Sequence, residues 1–249
     1  MNAKLVLDVC QALYEKHKLI TYPRSDCRYL PTEHHQQASG IIKLLAQSTA
    51  SYQSFAKNAD ATIKGRAWNN SKVSAHHAII PTEKSAEKIN LNPFEKNVYF
   101  LIVRQYLAQF YPAYIYDQTK ISLTIAGGIF TANAKSPVQQ GWKDLFKKQS
   151  TKKQNDNKSS EHNSPLEQQS LPSLKKGDKL HCEKGELLEK TTQAPSAFTD
   201  ATLLAAMTGI SRYVQDKSIK KILKETDGLG TEATRAGIID LLFKRGFLQ

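Results

Sequence analysis

The segment Leu19-Ile20-Thr21-Tyr22-Pro23-Arg24-Ser25-Asp26 brings a phenol, a guanidinium and a carboxylate close together along the chain. Pro23 disfavours the α region for the residue before it, so Tyr22 is biased toward extended backbone, whose side chains repeat every two residues. Tyr22 and Arg24, and with them Asp26, then fall on one face. Arginine offers phosphate oxygens a planar fork of donors, and a phenol beside it is suited to nucleophilic attack on a phosphodiester. A free tyrosine phenol has a pKa of about 10, so such an attack needs help at neutral pH. The same spacing also fits a strand-end tyrosine packed on a loop.

Two further groups of residues can do related chemistry. His76 and His77 are adjacent imidazoles, a side chain able to contact a phosphate or carry a proton near neutrality. They fit equally well as surface or hydrogen-bonded histidines. Gly228-Leu229-Gly230 leads into a helical stretch with Thr231, Glu232, Thr234 and Arg235, where backbone amides at a helix start can hold phosphate. An ordinary turn before a helix has the same composition. Arg245, near the far end of that stretch, suits the negative end of the helix dipole. His34 and His35 are expected on the outer face of a helix, without a chemical role.

The balance of 35 Lys and Arg against 23 Asp and Glu, a formal +12, favours an anionic partner such as nucleic acid or a phospholipid surface. A basic, solvated surface is the plainer account of the same number. The three cysteines, Cys10, Cys27 and Cys182, are odd in number and lack metal-ligand spacing. They suggest neither a disulfide framework nor a zinc site, and fit a reducing, cytoplasmic setting. Met1 to Lys18 reads as an amphipathic helix rather than a signal peptide, and no run of about 18 apolar residues offers a membrane span.

The elements that must position these residues follow from periodicity. Leu5, Val9 and Leu13 give a first helix one apolar face, ending near Lys18. Thr32 can cap a helix carrying Ile41, Ile42, Leu44 and Leu45, and Asn92-Pro93 with Glu95 starts another running to about Phe110. From Ala113 the pattern turns to strands: Ile115 to Ile125, a turn at Gly127-Gly128, and a return over Ile129 to Ala134. Lys179 to Thr191, turning at Lys184-Gly185, reads as a second hairpin. Between them, residues 147–173 are rich in Lys, Gln, Asn and Ser and predict a mobile loop. Thr199 caps a helix that Gly209 stops, Ser218 to Glu225 forms a short one, and Thr231 to Lys244 the last.

Thr21-Tyr22-Pro23-Arg24-Ser25-Asp26-Cys27-Arg28-Tyr29-Leu30-Pro31 resembles the active-site tyrosine motif of type IA DNA topoisomerases in its topoisomerase III version. Ser74-Ala75-His76-His77-Ala78-Ile79-Ile80-Pro81-Thr82 is similar to the family's histidine segment, and Gly228 to Ala236 to its later DNA-binding segment. The resemblance extends over essentially the whole chain, including Phe198-Thr199 and Lys244-Arg245-Gly246-Phe247-Leu248.

The resemblance implies a multidomain α+β fold. Residues 1–112 would form a mainly helical domain carrying the tyrosine, 113–194 a β-rich arch segment, and 195–249 a helical segment at a DNA groove. It implies Tyr22 as a nucleophile that bonds to the 5′ phosphate of a cleaved single strand, with Arg24 positioning the phosphate and His76 contacting it or shuttling a proton. Asp26, Arg28, His77, Thr231, Glu232, Thr234, Arg235 and Arg245 would then belong to the DNA-binding set. The strand is resealed without ATP, and the linking number changes. Single-stranded DNA is the implied partner, with a helicase as the kind of protein that can assist, and a bacterial nucleoid in the cytoplasm the implied place.

Mg²⁺ is the implied cofactor, held in the family by clustered carboxylates of a separate α/β domain that also supplies a lysine. This stretch carries no such segment, so the expectation is a fragment with little or no complete activity alone. Two other readings compete. A tyrosine recombinase or type IB topoisomerase places its arginine and histidine helpers before the tyrosine, the reverse of the order here. A non-catalytic single-stranded DNA-binding module would use the basic charge without the phenol.

Overall fold

The computed structural model describes residues 1–48, 50–147, 171–226 and 228–248, leaving out the side chain of Glu225. Most of the loop expected over 147–173 therefore lies outside the described residues. The chain separates into two compact units, one formed by residues 1–110 with 195–249 and the other by 111–194. Residues 195–249 thus cluster with the amino-terminal helices.

In the first unit, α1 (Ala3–Glu15) begins where the Asn2 side chain accepts the Leu5 N–H at 2.8 Å, and buries Val9, Cys10 and Leu13. It stops short of Lys18. The His17 and Leu19 amides turn back to the carbonyls of Ala12 and Leu13, and Lys18 takes a left-handed φ of 57°. Leu19 to Thr21 then runs antiparallel to Ile80 to Thr82, through an Ile20–Pro81 bridge and the bonds Thr21 N–H to Ile80 O and Thr82 N–H to Leu19 O.

The helix expected after Thr32 starts as a 3-10 turn over Thr32–Gln37 and becomes α2 (Ala38–Gln47), with Ile41, Ile42 and Leu45 buried. Thr32 does not cap it. Its amide donates to Asn70 Oδ1 at 2.7 Å instead. Short α3 (Gln53–Lys57) follows. α4 (Pro93–Leu107) opens with the reciprocal capping box of Asn92 and Glu95 and continues as a 3-10 turn to Phe110. Leu13, Leu19, Ile20, Ile41, Leu45, Tyr99, Val103, Leu107 and Phe110 form the core.

His35 does not face outward as expected. Its ring packs edge-on against Trp68 at 4.9 Å, and Nε2 donates to the Ile63 carbonyl at 3.0 Å. The 3-10 geometry of this turn, three residues per turn rather than 3.6, swings it inward. His34 packs on His77, with ring centres 4.7 Å apart.

The carboxy-terminal helices are α5 (Asp200–Thr208), capped by Thr199 and closed by Gly209, α6 (Lys217–Glu225), capped by Asp216, and α7 (Arg235–Lys244). α7 begins later than expected because the Thr231 carbonyl accepts both the Thr234 and Arg235 amides, making residues 231–234 a turn. Asp200 Oδ2 accepts the Ala3 N–H at 2.8 Å and so ties α5 to the start of α1. α7 packs on both, burying Ala236 and Ile239.

The second unit is built on a hairpin of β1 (Ile115–Ile125) and β2 (Gly128–Gln139), paired from Ile125–Gly128 to Ile115–Gln139. The turn falls on Ala126-Gly127, with φ of 47° and 82°, the doubly left-handed geometry of a tight hairpin, and Gly128 already belongs to β2. β2 outruns the expected Ala134 because an exposed partner strand continues alongside it. The second hairpin expected over Lys179 to Thr191 is absent: residues 171–199 contain no strand. Leu187 is 90% and Leu188 65% exposed, so the segment has no layer to cover its apolar side chains, and a lone hairpin is marginal without one. Helices and a small antiparallel sheet make the architecture α+β.

Candidate active site

The short pairing of residues 19–21 with 80–82 carries Tyr22 to the histidine segment. Thr21 locks this junction twice, with Oγ1 accepting the Ile80 N–H at 3.0 Å and donating to the Ala78 carbonyl at 3.5 Å. Tyr22, half-buried, then meets the exposed His76 ring at 4.6 Å between centres, with planes tilted by 38°. Its ring also meets Tyr14 of α1 edge to face at 5.6 Å. The two residues singled out from separate motifs are thus in contact.

The extended run expected beyond Tyr22 is broken. The chain bends at Pro23 and Arg24, so two-residue alternation does not set the direction of Arg24 or Asp26. A proline restricts the residue before it but does not impose strand on those after it. Arg24 is half-buried, and its Nε is sealed from solvent with no hydrogen-bond partner. A guanidinium in that state has a donor still uncommitted, and a buried donor left unpaired is costly. Asp26 and Arg28 are exposed, and Asp26 makes no hydrogen bond to Tyr22, Arg24 or His76.

His77 turns the other way from His76 in its bonding: Nδ1 donates to the Ala78 carbonyl at 2.8 Å, which fixes the proton on that nitrogen. Its ring packs on His34. Burial, and then the nearby His77, hold the His34 imidazole below the ordinary histidine range, against an opposing pull from Glu33. Lys72 donates to the Tyr29 hydroxyl at 3.1 Å and lies over its ring, adding a cation to the same loop region that sequence spacing did not reveal.

A buried pair joins α1 to α4. His17, at the end of α1, and Glu95, at the start of α4, meet at 3.1 Å with side chains only 7% and 8% exposed. Burial alone would raise the Glu95 carboxyl. The Asn92 N–H, the bond to His17 and the charges of His17 and Lys16 outweigh it and hold the carboxyl below the usual range.

The later motif forms a separate group. Thr231 and Thr234 are exposed, and their side chains bond to each other, with Thr234 Oγ1 also accepting the Thr231 N–H at 2.9 Å. Glu232 is half-buried and Arg245 exposed. Arg235 is not a surface residue: at 4% exposure its guanidinium donates to the carbonyls of Leu229 and Gly230 at 3.0 and 2.9 Å. It shapes the loop from within. Gly228 lies so close to the end of α5 that a Cβ there would stand 2.4 Å from the Met207 carbonyl oxygen, at a φ of 86°. Thr231, Glu232, Thr234 and Arg245 make no hydrogen bond or ring contact with Tyr22, Arg24 or His76.

Among the described residues, no three of His, Cys, Asp and Glu come together as a metal site. The described residues therefore offer no set that would hold Mg²⁺ by themselves. No helix of the described residues is long and apolar enough to cross a membrane.

A family model described as DNA topoisomerase matches residues 1–249. The chain is 54% identical over 248 residues to DNA topoisomerase 3 of Haemophilus influenzae and 54% over 248 to that of Pasteurella multocida, covering all of this chain and 36% of each relative. It is 39% identical over 255 residues to DNA topoisomerase 3 of Bacillus subtilis, of which it covers 33%. The chain thus spans about a third of the length of these curated relatives. With a match along its whole length and a tyrosine and histidine motif joined in space, this chain belongs to the DNA topoisomerase family, of type IA and the topoisomerase III kind.

Proposed function

We propose that Tyr22 is the nucleophile of a strand-passage reaction on single-stranded DNA. Its hydroxyl oxygen attacks the scissile phosphorus, the 3′ oxygen of the neighbouring sugar leaves and takes up a proton, and the 5′ phosphate stays on the tyrosine. After another strand has passed, the 3′ hydroxyl attacks the same phosphorus and frees Tyr22. Each step exchanges one phosphodiester for another, so no ATP is needed. Arg24 is the guanidinium two residues from Tyr22, and its donor fork suits a phosphate oxygen. His76 is the group in contact with Tyr22 that can hold a phosphate or move the phenolic proton.

The observation that carries the reading is the 4.6 Å contact between the Tyr22 and His76 rings. The exposed Thr231, Thr234 and Arg245 grip the strand away from the reacting phosphate. Relaxation and decatenation belong to a longer protein, given that the chain spans about a third of its relatives, and Mg²⁺ and any helicase partner enter there. The setting is the bacterial cytoplasm.

The test places these 249 residues in the matching stretch of the Haemophilus influenzae relative and quenches a single-stranded oligonucleotide reaction with denaturant. A label at the 3′ end of the oligonucleotide stays with the protein, because the downstream fragment carries the bonded 5′ phosphate. Tyr22→Phe abolishes the adduct and retains strand binding. An adduct that persists in Tyr22→Phe, or one that holds the 5′-end label, refutes the assignment.

A further inference from the structure

We infer that Tyr14 is a positioning residue for the Tyr22 phenol, an assignment that rests on the nucleophile reading above. The Tyr14 and Tyr22 rings meet edge to face, centres 5.6 Å apart and planes at 83°. In that geometry the positive edge of one ring faces the negative face of the other, a directional contact rather than a greasy one. With His76 at 4.6 Å, the Tyr22 ring touches two other rings, and turning about its first side-chain torsion breaks at least one contact.

Tyr14 is itself held. It is anchored in α1 beside the fully buried Leu13, and Lys18 Nζ lies 5.6 Å from its ring centre, within range of a cation over an aromatic face. Lys18 occupies a left-handed backbone, where any residue but glycine is strained. Its carbonyl accepts the Thr82 hydroxyl at 2.7 Å, which ties this strained residue to the segment that carries His76. The contacts close a circuit from Tyr22 to Tyr14, to Lys18, to Thr82 and back through His76. A glycine in place of Lys18 would relieve the backbone but remove the brace, so strain here coincides with the site it serves.

Two measurements test this. In the 249-residue chain labelled with 3-fluorotyrosine, the Tyr22 fluorine signal is the one lost in Tyr22→Phe. Tyr14→Leu is expected to move and broaden that signal, while Tyr14→Phe, which keeps the ring edge, leaves it in place. In the grafted protein, Tyr14→Leu is expected to slow adduct formation at saturating oligonucleotide about tenfold, with strand affinity and the Tyr14→Phe rate each within about twofold of the parent. Lys18→Gly is expected to slow adduct formation while melting no lower than the parent, a divergence that a purely structural role does not produce.

An unmoved Tyr22 signal in Tyr14→Leu, an unchanged adduct rate, or a Tyr14→Phe as slow as Tyr14→Leu overturns the assignment. Should Tyr14→Leu fail to fold, Lys18→Gly decides: an adduct rate equal to the parent overturns it. An adduct in Tyr22→Phe, or none from the parent graft, overturns the nucleophile reading instead, and the fluorine signal still reports whether Tyr14 orders Tyr22.

Discussion

Replacing Glu95 by alanine tests the buried link between α1 and α4. Glu95 serves two helices at once: Oε2 accepts the Asn92 N–H at 2.8 Å, and Oε1 meets His17 Nε2 at 3.1 Å. Losing its part in the cap of α4 costs about 1 kcal/mol. Leaving the buried His17 nitrogen without a partner adds about 1–3 kcal/mol. A unit of this size loses roughly 2–4 °C of melting temperature per kcal/mol, so Glu95→Ala is expected to melt about 5–15 °C below the parent at neutral pH.

The pH dependence has a definite sign. The folded-state Glu95 carboxyl is held below its ordinary value, chiefly by the Asn92 amide and His17 working against burial. Its contribution is present above the unfolded pKa and fades as pH falls through the folded one, so the gap between parent and variant narrows below about pH 4. Far-UV circular dichroism melts at about pH 7 and about pH 3 check both statements. A shift under about 2 °C at neutral pH, or a gap that stays constant on acidification, refutes the role of this link.

Two further outcomes follow from the geometry. Gly228→Ala must force a Cβ to within 2.4 Å of the Met207 carbonyl oxygen and 2.7 Å of that of Thr208 at a positive φ, so it is expected to destabilise by more than about 1 kcal/mol and weaken single-strand binding. Parent-like melting and binding would show that the loop does not depend on this close approach. An aromatic disulfide reagent at about pH 8 is expected to label exposed Cys182 first, half-buried Cys27 next and Cys10 last, since burial pushes the Cys10 thiol up to about 11. Mass spectrometry of the labelled peptides checks the order, and early labelling of Cys10 contradicts the packing of α1.

Local chemistry determined much of this protein ahead of any tertiary contact. The Asn92-Pro93-Phe94-Glu95 start of α4, the Thr199 cap and Gly209 stop of α5, and the first hairpin are legible because caps, glycines and alternation act within a few residues. The segments around Tyr22 and His76 were legible through their resemblance to the type IA motifs. Their meeting was not, since it depends on residues 19–21 pairing with residues 80–82 across the fold. Tertiary structure alone decided that Arg235 turns inward to its own loop, that His35 joins Trp68, and that Lys179 to Thr191 finds no strand partner. It also decided that Tyr14 stands against Tyr22 and Lys18 against Tyr14. Such outcomes turn on which distant group arrives to accept a proton, cover an apolar face or fill a ring contact, and the chain's near-neighbour preferences carry no record of that arrival.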